Sequence, residues 1–360
     1  MKVLALVEDP HGACYRYRWK AHAAALSERG FQLEAVAWGK SWQRVKAIVA
    51  AARADIVVLQ RRLLPLWQLA VLRRAARTLV YDFDDALFRR DSYSRKTQRN
   101  TIRLARFSAT VRAADAVVAG NEYLRQFAAS QTDGRNHADR VYCIPTCIEP
   151  DWYSPAEHRS SGAAARFVWI GQASMLPSLQ AAQAQLSAAA RQLGGMQLDV
   201  ICSELPSLPG IDTALRKWST STETTDLAQG DIGISWLPDD LWSLGKCGLK
   251  VLQYMAAGLP VIANPVGIQC ELVEHGRTGF LAETPDEWAQ AAVTLAENPW
   301  LRRQMGQKAR ARVRHSFAAE SWGPRLAGIL DEIGMRRFAP SRHARLAPVL
   351  VAGINRADCL

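Results

Sequence analysis

Two lysines spaced four apart, Lys246 and Lys250, lie in a glycine-punctuated stretch, Leu244-Gly245-Lys246-Cys247-Gly248-Leu249-Lys250-Val251-Leu252-Gln253. The glycines mark a loop, the apolar spacing after Gly248 marks a helix, and Gly258 stops it before a buried strand at 260–263. The first N–H groups of a helix have no intrahelical acceptor and attract an anion. Residues four apart share one side of a helix, so both lysines add charge at that point. A diphosphate fits this chemistry, with Gln253 placed to meet a sugar hydroxyl. Carboxylates cluster elsewhere, in Val80-Tyr81-Asp82-Phe83-Asp84-Asp85, where an apolar strand ends in acid. That pattern suits either a cleft residue or a helix cap. A third group, His11 and Gly12 in the loop after the first apolar run and Arg16 and Arg18 beyond it, stands where a ligand would meet the first strand's end.

These groups need elements to hold them. Strand-length apolar runs at 3–7, 31–38, 55–59, 78–83 and 116–119 alternate with amphipathic stretches at 16–29, 42–53, 66–77 and 94–113, and a short strand follows at 140–144. Alternation of this kind implies parallel pairing in a doubly wound α/β sheet. A Pro/Ser/Gly-rich stretch then intervenes, and the alternation restarts. Strands are expected at 166–171, 197–202, 232–237 and 260–263, and helices at 179–193, 248–257, 286–297, 300–316 and 321–333. The division expected is an N-terminal domain over 1–150, a linker over 151–165 and a C-terminal domain over 166–320. A closing helix over 321–333 would return to the first domain, ahead of a basic tail over 334–360. Two such domains leave a ligand cleft between the carboxyl ends of their sheets.

Composition narrows the classes. The 360 residues, 49% hydrophobic and 22% charged, describe an ordinary folded chain and exclude disorder. No run of 18 apolar residues occurs, and the opening Met1-Lys2-Val3-Leu4-Ala5-Leu6-Val7-Glu8-Asp9 reads as a strand rather than a signal peptide, which sets the expectation of a cytoplasmic protein. Seven scattered cysteines without zinc spacing read as reduced thiols. The net charge of +11 is uneven: residues 1–153 hold 25 Lys and Arg against 15 Asp and Glu. An anionic partner follows from that, and with no recognition motif for nucleic acid, a membrane face or a phosphorylated acceptor suits it better. The loop Glu8-Asp9-Pro10-His11-Gly12-Ala13 carries no Gly-x-Gly-x-x-Gly, and there is no Walker loop and no His-Glu-x-x-His.

The stretch from Trp242 to Gly267, with Glu274-His275-Gly276-Arg277-Thr278-Gly279-Phe280-Leu281 and Thr284-Pro285-Asp286-Glu287-Trp288, resembles the donor-binding domain of family 4 retaining glycosyltransferases. Tyr15-Arg16-Tyr17-Arg18, Gln60-Arg61-Arg62, Gly120-Asn121-Glu122-Tyr123 and Ile144-Pro145-Thr146 fit the N-terminal half of the same family. The resemblance implies a GT-B fold, two Rossmann-like domains facing each other across a cleft. It implies a nucleotide-sugar substrate held by the second domain without cofactor or metal, and a saccharide or lipid-linked acceptor met by the first. On it, Lys246, Lys250 and Asp84 are the catalytic candidates. Gly171, Gln172, Gly245, Gly248 and Gln253 are the donor-side candidates, and His11, Gly12, Arg16 and Arg18 those of the acceptor side.

The chain also departs from that family. Two glutamates usually stand eight apart around the helix start, and here those positions are Gly245 and Gln253. Gln172 stands near a usual arginine, and Asp84 where related members carry a histidine. The departures keep a second expectation open, a GT-B binding protein without catalysis. The Asp82-Phe83-Asp84 motif is similar to that of haloacid-dehalogenase-like phosphatases, a Mg²⁺-dependent alternative in which Asp82 would be the nucleophile.

Overall fold

The computed structural model describes residues 1–94, 96–132, 138–158 and 164–336. Of the basic tail expected over 334–360, residues 334–336 continue the last helix and the rest lies outside the described residues, as does the middle of the expected linker, 159–163. Six strands, β1 (Lys2–Val7), β2 (Gln32–Ala37), β3 (Ile56–Gln60), β4 (Leu79–Phe83), β5 (Ala116–Ala119) and β6 (Val141–Cys143), pair in the order β2-β1-β3-β4-β5-β6. All their pairings are parallel. Strands β1, β3, β4 and β5 are almost wholly buried, which explains their mostly apolar sequences: helices cover both faces of the sheet. One face carries α1 (Ala13–Arg18) and α2 (Ala23–Glu28); the other carries α3 (Ser41–Ala52), α4 (Leu66–Ala75), α5 (Thr101–Ala113) and α6 (Glu122–Ser130).

The second sheet comprises β7 (Arg166–Ile170), β8 (Gln197–Cys202), β9 (Asp212–Lys217), β10 (Ile232–Ser235), β11 (Val261–Ala263) and β12 (Gly279–Leu281), in the order β12-β11-β10-β7-β8-β9, again all parallel. Its helices are α7 (Leu176–Ala181), α8 (Gln183–Leu193), α9 (Glu223–Ala228), α10 (Leu249–Ala256), α11 (Gln269–Leu272), α12 (Pro285–Glu297) and α13 (Pro299–Ser316). Local chemistry sets several boundaries. Thr284 and Glu287 form a reciprocal capping box on α12, and Asn298 caps α13 ahead of Pro299. The last helix, α14 (Ala319–Arg336), leaves the second sheet and packs beside α2, and its Leu326, Ala327 and Leu330 join the core cluster that holds Val3, Ala5 and Val58 of the first sheet.

Three expected helices differ in the structure, and one of them, 179–193, is divided at Ala182 between α7 and α8. The stretch 16–29 breaks into α1, a short 3₁₀ turn and α2. The stretch 94–113 becomes helical only at Thr101, because the Asn100 side chain accepts the Arg103 N–H and caps the helix there. Strands β9 and β12 were not expected. Both are edge strands, and β9 is half exposed along its length, so it lacks the apolar run that marks a buried strand.

Candidate functional site between the two sheets

The loops at the carboxyl ends of both sheets line one cleft of about 890 Å³. From the first sheet come the β1–α1 loop with His11 and Gly12, then Arg61, Asp84 and Asp85; from the second come Gly171, Gln172, Trp218, Lys246, Lys250 and Gln253. A doubly wound sheet binds ligands at this end, where successive connections diverge to opposite faces.

The α10 start is built as its sequence requires. Gly248 takes φ +70°, in the left-handed region that glycine adopts without strain, and a Cβ there would meet Leu272 at 2.3 Å. Lys246 extends across the cleft. Its Nζ lies 2.9 Å from Asp85 Oδ1 and 3.6 Å from the centre of the Trp242 ring. Lys250 behaves differently. Its Nζ is shut from solvent without a hydrogen-bond partner, 4.3 Å above the Trp169 ring. Burial, with repulsion from Lys246 added, lowers its pKa to about 7. An anion entering the cleft would supply the missing partner and restore full charge to this ammonium.

Opposite, Arg61 organises the carboxylates of the first domain. Its guanidinium donates to Asp84 Oδ1 at 2.7 Å and to Asp85 Oδ2 at 2.6 Å, and its backbone holds φ +55°. Burial pushes the Asp84 carboxyl up, with Arg61 opposing it. Burial works on Asp85 too, but Lys246 and Arg61 together outweigh it and keep that carboxyl below its ordinary range. The result is a four-charge chain, Asp84–Arg61–Asp85–Lys246, that runs from one domain to the other.

A second network closes the back of the cleft. Tyr17 and Tyr153 hydroxyls meet at 2.6 Å, and Gln253 Nε2 donates to both, at 3.3 and 3.2 Å. Glu223 Oε1 accepts from Tyr17 at 3.0 Å and from Arg16 at 2.5 Å, while its Oε2 accepts from the Trp218 indole at 2.9 Å. Gln253 is thus committed to two tyrosines, at 5% exposure. Asn121 joins the domains a third time: its Oδ1 caps α6 and its Nδ2 donates to the carbonyls of Leu244 and Lys246, both at 3.0 Å.

Of the residues singled out from the sequence, the cleft gathers His11, Gly12, Asp84, Gly171, Gln172, Lys246, Gly248, Lys250 and Gln253. Three stand outside its lining. Gly245 packs on the first domain, where a Cβ would lie 2.6 Å from the Ala86 nitrogen, so this closed arrangement has no room for a side chain at that position. Arg16 is turned to Glu223. Arg18 is buried against Asp82, 2.5 Å away, and the Ile144 carbonyl. That pairing also decides the phosphatase alternative. Asp82 is 1% exposed and its oxygens are taken by Arg18 and Gln60, so it is not available as a nucleophile. Sequence reasoning passed over Glu223, Tyr153 and Trp218. Glu223 lies in a Ser/Thr-rich run with no periodic signal, and its role depends on a partner 207 residues away.

Comparison with known proteins agrees with this geometry. Residues 229–298, which include the Lys246–Gln253 segment, match the family model described as glycosyl transferases group 1. The N-acetyl-alpha-D-glucosaminyl L-malate synthase of Bacillus anthracis is 40% identical over 75 residues, 20% of this chain and 20% of that protein. The trehalose synthase of Pyrococcus horikoshii is 36% identical over 88 residues, 24% of this chain and 21% of that one. The matched region is thus about a fifth of the length of these relatives. Among solved structures, Anabaena HepE in complex with UDP-glucose superposes with a TM-score of 0.67 at 16% identity, covering 92% of this chain and 100% of that one. Sucrose-phosphate synthase from Thermosynechococcus elongatus gives 0.65 at 16% identity, covering 94% and 100%. The chain has the GT-B fold, and residues 229–298 beside its cleft match the group 1 glycosyl transferase model.

Proposed function

We propose that this protein is a retaining glycosyltransferase that moves a sugar from a nucleotide-diphosphate donor to a polysaccharide or glycolipid-precursor acceptor. The observation that carries the reading is the Lys250 ammonium, buried and unpartnered in the first turn of α10, with Lys246, in the loop before that helix, lining the same cleft. A site with two lysines and free helix N–H groups stabilises negative charge, and a nucleoside diphosphate develops that charge as it leaves. Breaking the anomeric bond gives an oxocarbenium-like carbon, and charge stabilisation on the leaving group accounts for most of the acceleration. Asp84 and His11 line the first domain's wall of the same cleft, and the reading assigns that wall to the acceptor. The UDP-glucose complex of Anabaena HepE makes UDP-glucose the first donor to try.

The acceptor is placed on the basic N-terminal domain, at the inner face of a membrane. The test is transfer of labelled sugar from UDP-, GDP-, ADP- and CDP-sugars to membrane-extracted acceptors, with the anomeric configuration of the product read by NMR. Transfer with inversion removes the retaining assignment, and absence of transfer from every donor removes the enzyme. A second reading has its own observation. Gly245 and Gln253 replace both expected glutamates, one without room for a side chain and one tied to two tyrosines. Nucleotide binding without transfer would favour a binding protein on the same frame.

A further inference from the structure

The three helices α3, α4 and α5 lie on one face of the first sheet and contain seven Lys and Arg but no Asp or Glu. Their inner sides pack Ala47, Ala51, Leu69, Leu72, Phe107 and Val111 into the core. Their outer sides are apolar too. Trp42, Val45 and Val49 on α3, Leu66, Trp67 and Val71 on α4, and Ile102 on α5 are all exposed, Trp42 by 58% and Trp67 by 69%. A helix that only covers a sheet needs one apolar stripe, and α3 has a second at positions 42, 45 and 49, facing solvent.

These residues are aligned by the topology. Trp42, Trp67 and Ile102 are each the second residue of their helix, and each helix starts beyond the carboxyl end of its strand. All three therefore stand at the sheet edge that also forms the cleft. At the same edge is a concavity of about 360 Å³ lined by Arg44, Arg62, Arg103 and Arg106 over Trp38 and Leu87. Arg44, Arg103 and Arg106 meet no carboxylate among the described residues; Arg44 and Arg103 spend only Nε, on the carbonyls of Gly39 and Leu87. Arg61 lines this concavity and the cleft alike.

We infer that this face docks on an anionic phospholipid bilayer, with Trp42, Trp67 and Ile102 in the interface and a lipid phosphate seated among Arg44, Arg103 and Arg106. Charge complementarity selects the occupant. Guanidinium forks without acidic partners match phosphate, and tryptophans beside basic residues match the zone between headgroups and acyl chains. Attachment is peripheral, since among the described residues no helix is long and apolar enough to cross a membrane. The inference deepens the proposed function and rests on it for the purpose of the face, which is to bring a membrane-held acceptor to the cleft edge.

The test is flotation of the full chain, without nucleotide, with phosphatidylcholine vesicles that contain or lack phosphatidylglycerol. The protein should float with the anionic vesicles only and be released as ionic strength rises. Trp42→Ala with Trp67→Ala, and separately Arg103→Ser with Arg106→Ser, should each weaken flotation about tenfold or more, with thermal midpoints close to that of the parent because these side chains are not in the core. No flotation with anionic vesicles overturns the inference, as does flotation that both double variants leave unchanged. Calorimetry with a nucleoside diphosphate, run beside it, keeps failure here separate from failure of the donor reading.

Discussion

Lys246 Nζ and Asp85 Oδ1 stand 2.9 Å apart, one from each domain, so the lysine on the helix-start side of the cleft is already held by a carboxylate from the other. A bound diphosphate would compete with that carboxylate for the same ammonium. Lys246→Ala should therefore lower nucleoside-diphosphate affinity about ten- to a hundredfold, the range of a charged hydrogen bond. Asp85→Asn should raise that affinity, because it removes a repelling charge and frees Lys246. Calorimetric titration of both variants checks the pair. Equal affinity in all three proteins would mean that the phosphate sits elsewhere.

Lys250 gives the site a pH dependence of known sign. Burial, with Lys246 nearby, lowers its pKa to about 7, and a bound anion would raise it. Binding then takes up a proton above pH 7, and affinity should fall as pH rises from 7 to 9, by up to about tenfold per unit. Titrations in buffers of different ionisation enthalpy should show proton uptake near pH 8, and Lys250→Met should show none.

The same lysine costs stability. An unsatisfied buried polar group destabilises by about 1–3 kcal/mol, so Lys250→Met should raise the thermal midpoint while it weakens nucleotide binding. A lowered midpoint in this variant would mean that the ammonium has a partner in solution.

Much of this fold can be read from the chain alone. Strands such as β5 and β8 are bounded by their own apolar runs, and the glycine loop before α10 declares itself through local chemistry. What cannot be read is set by contact between the domains. Nothing near Arg61 indicates that it will join Asp84 and Asp85 to Lys246, and nothing near Gly245 indicates that Ala86 will fill the space of a side chain. Gln253 illustrates the difference. Its sequence position suggests a ligand contact, yet its donor is spent on Tyr17 and Tyr153.

Restoring a carboxylate at that position should therefore not repair the site. Gln253→Glu would remove the donor shared by two tyrosines and add negative charge beside Glu223. A loss on the order of 2–3 kcal/mol is expected at pH 8. Burial raises the pKa of the introduced carboxyl, so the penalty should be full above that pKa and shrink as pH falls through it. Chemical denaturation at pH 5 and pH 8 gives both values, and equal losses at the two would mean that the group is solvated.

The most direct measurement is a titration of the purified protein with UDP, GDP, ADP and CDP, repeated on Lys246→Ala and Lys250→Met. A ligand specific for the native state raises apparent stability by about 2.7 kcal/mol at a hundredfold excess over its Kd, so a thermal-shift series gives the same answer independently. One nucleotide should bind the parent protein and be weakened in both variants, with the Lys250→Met protein no longer responding to pH. If no nucleotide binds the parent, or if one binds all three proteins equally, the α10 start is not a diphosphate site and the donor assignment fails.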